Sequence, residues 1–254
     1  MRGVFVTGTD TGVGKTVVAG AICAALAARG ERVAAFKPVV TGTDDDSGDW
    51  PPDHALLAAT ANCGQTAADV AAYRFGPPVS PHYATELAGT IIDPDRLRAG
   101  ATNAAALAEA AIAAESAAAG GCPRSDSQAE GTSSHRRVPG TLVCEGVGGL
   151  LVPLTTDYSI RDLAVDLGLP LVIVARTGLG TINHTLLTVE AARAGGLRIA
   201  GIVMTPWPEH SEPIERSNRA TVERLSGVAV SGLPPATPGT LAAAGAALPL
   251  DDWL

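Results

Sequence analysis

Apolar and polar positions alternate along this chain in blocks rather than residue by residue. Short runs at 4–6, 32–36, 141–144, 170–175, 198–204 and 228–231 are apolar almost throughout. Such runs read as strands buried on both faces, the signature of a parallel sheet. Between them lie longer stretches with helix signals: 15–29, ending at Gly30, then stretches starting at Asp53, Ser80-Pro81 and Asp93-Pro94, then 159–167, 178–194 and 211–226. A further short apolar segment stands at 70–75. The alternation predicts an α/β fold, one domain over residues 1–254, with a mostly parallel sheet and helices on both faces. Residues 122–139 break the pattern; they are polar, Ser/Gly-rich and without period, and read as a mobile insertion. The Ala-rich stretch 99–121 carries Glu109 and Glu115, so it reads as a soluble helix rather than a membrane span.

The first strand, loop and helix carry chemistry. Val4, Phe5 and Val6 lead into Gly8–Gly14, after which Lys15 and Thr16 open an Ala-rich helix. Strand, glycine loop, Lys-Thr and helix together predict a phosphate site. Loop and first-turn N–H groups have no helical partner and point to one spot, and glycines let a phosphate approach closely. Lys15 would reach the terminal phosphates and the Thr16 hydroxyl would meet magnesium. Gly8 and Gly14 enclose five residues, one more than the usual pattern.

Three further charged residues stand at the ends of predicted strands. Lys37, with Pro38, ends the second run, where ligands bind in a parallel sheet. Glu145 ends the fourth and is followed by Gly146, Gly148 and Gly149; a carboxylate there has the chemistry of a magnesium ligand. Asp53 precedes Ala55-Leu56-Leu57, as a helix cap or first-turn residue. The aspartates Asp44, Asp45, Asp46 and Asp49 read as a solvated loop, since consecutive side chains do not converge. The pair Arg136 and Arg137 reads the same way.

Three blocks, TGTDTGVGKT, KPVVTG and VCEGVGGLLVP, occur in this order, with LGTINH after them. In this the chain resembles the dethiobiotin synthetase family, whose loop has the same extra residue and the Thr-Asp-Thr triplet. The resemblance implies a P-loop NTPase-like fold and an ATP- and Mg2+-dependent ring-closing ligase of biotin biosynthesis. Its substrates would be 7,8-diaminononanoate, CO2 and ATP, and its product dethiobiotin. It implies catalytic roles for Lys37 and Lys15, and Mg2+ held by Thr16, Asp53 and Glu145. Nucleotide would contact Gly12, Val13, Gly14, Lys15, Thr16, Val17, Asp53, Glu145, Gly146 and Gly148, with its base near Thr205 and Pro234. Substrate would meet Thr11, Thr41, Ser80, Gly148, Gly149, Thr181 and Asn183; the last two either bind its carboxylate at a dimer interface or simply cap and pack. His82 would lie near substrate. The chain departs from the family pattern at Gly12, where some members have glutamate. It departs again at Thr205, where an asparagine often reads the base; one hydroxyl replaces an amide's paired donor and acceptor, so base preference is open.

Charge narrows the classes further. A net charge of −8 argues against nucleic acid or an anionic membrane as partner. Cys23, Cys63, Cys122 and Cys144 have neither metal-ligand spacing nor a disulfide framework, and Cys23 and Cys144 read as buried small apolar residues. The first residues enter a strand with no cleavable leader, so a cytoplasmic protein is expected. Partition and division-site ATPases share the expected fold, but carry an additional lysine near the loop start, where Thr9, Asp10 and Thr11 stand here. A small-molecule kinase is the third class, distinguished by a stable phosphorylated product.

Overall fold

The computed structural model describes residues 1–45, 48, 50–119 and 139–254. The expected insertion at 122–139 lies, except for Pro139, outside the described residues, as do Asp46 and Asp49. The first half of the chain runs β1 (Arg2–Gly8), α1 (Lys15–Ala28), β2 (Val33–Val40), α2 (Asp53–Thr60), α3 (Ala67–Val70), β3 (Ala71–Arg74), α4 (Pro81–Ala88) and α5 (Pro94–Ala119). The second half runs β4 (Thr141–Gly149), α6 (Ile160–Leu167), β5 (Leu171–Ala175), α7 (Thr181–Ala194), β6 (Ile199–Met204), α8 (Pro213–Ser226) and β7 (Val230–Gly232). A 3-10 turn, Pro238–Thr240, then leads into two short helices, α9 (Leu241–Gly245) and α10 (Leu250–Trp253).

The seven strands form one sheet in the order β3-β2-β4-β1-β5-β6-β7, parallel at every pairing. Side chains alternate between its faces, as the pleat requires. Val4 and Val6 of β1 join Val33, Ala35, Val143, Val172 and Val174 under α1, α2, α9 and α10. Phe5 points the other way, with Phe36, Leu142, Cys144, Leu171 and Ile173, under α4 to α8. The expected burial of Cys23 and Cys144 holds; both are fully buried. Among the described residues no helix is long and apolar enough to cross a membrane.

Helix ends follow their local chemistry. Ser159 starts α6 through a capping box with Asp162, and Gly168 ends it at φ 62, a backbone conformation that glycine adopts freely. The C-terminal α9 lies so close on α1 that a Cβ at Gly245 would come within 2.1 Å of the Ala21 carbonyl oxygen.

Two strands run further than expected. Lys37 and Pro38 do not end β2, which continues to Val40. Pairing with β4 stops at Phe36↔Cys144, and pairing with β3 registers Lys37 and Val39 but not Pro38. The strand changes neighbours at the proline, so its missing N–H breaks no registered pair. Glu145 likewise does not end β4; it pairs with Val6, and the strand reaches Gly149 through a register shift.

Candidate active site

Register explains how the charged groups meet. Phe36 and Cys144 are paired, and both face α4 to α8. One step on, Lys37 and Glu145 point to the other face, toward the starts of α1 and α2. Lys37 Nζ lies 2.5 Å from Glu145 Oε1 and 2.6 Å from Asp53 Oδ2. The Thr16 hydroxyl donates to Glu145 Oε1 at 2.9 Å. Asp53 is the first residue of α2, after Pro52 at the cap position, so it is a first-turn residue whose carboxylate bonds to Lys37 rather than to a free N–H.

The phosphate loop is built as its glycines predict. Gly14 holds the cap position of α1 at φ 92, where a side chain is strained, and a Cβ there would lie 2.8 Å from Thr205 Cγ2. The Lys15 ammonium folds back to donate to the Asp10 carbonyl at 2.8 Å.

Burial sets the electrostatics. Lys37 is 3% exposed and Glu145 fully buried. Burial pulls the Lys37 ammonium down, but Glu145 and Asp53 outweigh it and hold its pKa above the ordinary lysine value, so Lys37 is charged at neutral pH. Burial pushes Asp53 up, yet Lys37 and the Thr16 hydroxyl bring it below the usual carboxylate range. Burial also lowers the Lys15 pKa; Glu145 opposes this and Lys37 adds to it. The Glu145 carboxyl is pushed up by burial against the pull of Lys37.

A cavity of about 620 Å3 opens over this cluster. Of the residues expected from sequence, it brings together Thr11, Gly12, Gly14, Lys15, Thr16, Val17, Lys37, Thr41, Asp53, Ser80, Glu145 and Gly148. A second cavity of about 530 Å3 lies across the phosphate loop and takes in Val13, Thr205 and Pro234. Four expected residues lie in neither. Gly146 packs on Phe5 and Ile160. Gly149 borders a third groove with Leu151 and His184. Thr181 is buried, its hydroxyl donating to the Arg176 carbonyl at 2.6 Å, and Asn183 is exposed. The His82 side chain is also exposed, and it lines neither cavity.

Sequence reasoning missed Val147, Val152 and Asp45 in the first cavity, and Trp50 and Arg176 in the second. Arg176 carried one usable signal, a cation just past a buried strand and before the glycines of 178–180.

The donor set can hold a hard cation. Glu145 Oε2 is buried and has no hydrogen-bond partner. A cation between it, Thr16 and Asp53 would satisfy that atom. Among the described residues no three of His, Cys, Asp and Glu converge as a closed metal cage. Two carboxylates and a hydroxyl leave positions open for water and phosphate oxygens, the coordination magnesium prefers.

A family model described as AAA domain matches residues 2–240. The chain is 38% identical over 226 residues to the ATP-dependent dethiobiotin synthetase BioD of Anaeromyxobacter dehalogenans, covering 89% of this chain and 86% of that one. It is 39% identical to the protein of that name from Mycobacterium avium, covering 96% and 91%, and 33% identical to that from Bacillus subtilis, covering 92% and 87%. A solved ParA family ATPase from Chlorobium tepidum superposes with a TM-score of 0.47 at 13% identity, covering 98% of this chain and 93% of that one. With identities above one third over nine tenths of its length, the chain belongs to the ATP-dependent dethiobiotin synthetase family.

Proposed function

We propose that the protein is a ring-closing ligase that converts 7,8-diaminononanoate and carbon dioxide to dethiobiotin with cleavage of ATP to ADP and phosphate. The observation that carries this reading is the Lys37 ammonium held between Asp53 and Glu145 at the foot of the phosphate loop. One substrate amine adds to carbon dioxide and loses a proton, giving a carbamate. A carbamate oxygen attacks the γ-phosphorus and ADP leaves, forming a carbamic-phosphoric anhydride. The second amine attacks the carbamoyl carbon and expels phosphate, closing the ureido ring.

Such a sequence needs positioning and charge neutralisation rather than a covalent nucleophile. Loop N–H groups and Lys15 grip the phosphates, and Lys15 must leave the Asp10 carbonyl to do so. Lys37 sits where charge gathers on the transferred phosphoryl and carbamate oxygens. Thr16, Asp53 and Glu145 would hold Mg2+, which when bound neutralises the β- and γ-phosphate charge. Thr11, Thr41, Ser80 and Gly148 also line this cavity and would meet the diamine.

The proposal includes a cytoplasmic homodimer in which the start of α7, through Asn183, completes the carboxylate end of the site, while Thr181, whose hydroxyl is bound to the Arg176 carbonyl, packs beneath it. Leu179, Leu187 and Leu151 support this; they are 93%, 61% and 57% exposed. Light scattering is expected to return twice the 25.6 kDa chain mass, and a monomer at assay concentrations would refute the dimer.

Incubation with 7,8-diaminononanoate, bicarbonate, Mg2+ and ATP tests the reaction. Dethiobiotin and ADP in equal amounts are expected. ATP hydrolysis that ignores the diamine, or a stable phosphorylated diamine, would replace this reading with a switch ATPase or a kinase.

A further inference from the structure

Aromatic residues are scarce here, with three each of Trp, Tyr and Phe. Two of the tryptophans have packing roles. Trp253 is 2% exposed and lies against Gly201, where a Cβ would come within 2.7 Å of its Nε1. Trp207 covers Gly232 and carries the Arg219 guanidinium over its ring at 5.3 Å. Trp50 differs. It is half-buried, rests on the apolar cluster beneath α1, and forms part of the wall of the second cavity with Val17, Pro206, Pro234 and Ala236.

That cavity continues the charged one, because Gly12, Gly14 and Val17 border both. A triphosphate gripped by the loop with its γ end toward Lys37 sends its other end here, and that end is the nucleoside. The described lining has no Asn, Gln, Asp or Glu to pair with the donors and acceptors on a base edge. Its one charged side chain, Arg176, turns to the phosphate loop and donates to the Thr11 carbonyl at 3.2 Å. What remains is a mostly apolar slot with two threonines, Thr177 and Thr205, and a single aromatic ring. Such a slot recognises the π-face that every base has.

We propose that Trp50 is the stacking wall for the nucleotide base, a contact that holds purine and pyrimidine triphosphates alike. This rests on the nucleotide-dependent reading of the site. The placement also ties base binding to the charged cluster. Pro51 and Pro52 stiffen the link from Trp50 to Asp53, the carboxylate on Lys37. The aromatic wall and the acidic group thus share one support.

Tryptophan fluorescence and calorimetry with Mg2+ and either a non-hydrolysable ATP analogue or CTP, on the full chain without diamine, test this. Wild-type emission should be quenched by both nucleotides. Trp50→Phe keeps a ring, and should bind within a few-fold of wild type while losing the quench. Trp50→Ala should weaken both nucleotides on the order of 10-fold. Wild-type affinity in Trp50→Ala, a full quench in Trp50→Phe, or loss of one nucleotide only would overturn the stacking assignment and leave the nucleotide reading standing. Failure of the wild-type protein to bind either nucleotide, with Lys15→Ala no different from it, would overturn both.

Discussion

The two cavities flanking the phosphate loop are nearly equal in size, about 620 and 530 Å3, and opposite in chemistry. One gathers two lysines and three carboxylates, and in it Lys37, Asp53, Glu145 and the Thr16 hydroxyl are joined by bonds of 2.5 to 2.9 Å. The other is walled by proline, valine, threonine and one tryptophan, with a single arginine at its edge. On the proposed function, the difference separates two jobs. Where charge must develop and move, groups are held rigidly in advance, so no reorganisation is needed at the moment of reaction. Where a passive part of the ligand needs a berth, surface of the right shape suffices.

This division can be broken from either side. The largest expected effect is on the charged side. Lys37→Ala should lower turnover at least ~100-fold, the scale of losing one electrostatic donor, while the nucleotide Kd stays within a few-fold. Steady-state rates and calorimetry on one preparation check this, and near-normal turnover would remove Lys37 from the chemistry. Glu145 is then left without its cation, so melting is read alongside. A smaller effect is expected across the loop. Thr205→Asn supplies an amide's donor and acceptor in the second cavity and should shift preference between ATP and CTP by about 5-fold, one neutral hydrogen bond, with turnover unchanged. If Thr205→Asn alters turnover but not preference, the two sides are not separable.

The legible parts of this molecule were those where a residue contradicts its surroundings. Lys37 and Glu145 interrupt strands that are otherwise apolar, and a charge in a buried run must have a partner or a purpose. Their mutual distance was not legible, because it depends on the Phe36–Cys144 register, and pairing between strands a hundred residues apart leaves no local trace. Strand ends were misjudged at Pro38 and Gly146 for a related reason. Proline and glycine signal a stop only when the neighbouring strand is still paired there, and in both places the pairing changes. Thr181 could equally have bound a ligand or packed; its hydroxyl is occupied by the Arg176 carbonyl. Trp50 was invisible, since a lone aromatic in an acidic loop belongs to no period and no motif.

The strand that carries the phosphate loop lies in the middle of the sheet, between β4 and β5, and the helix behind it is covered by α9. A ribosome therefore releases Arg2–Gly8 long before either sheet neighbour has been made. The first neighbour begins at Thr141, the second at Leu171 and the covering helix at Leu241. Until those residues are made, the nascent polypeptide exposes an unpaired strand and the apolar face of α1. During that time its solubility depends on whatever shelters it at the exit tunnel.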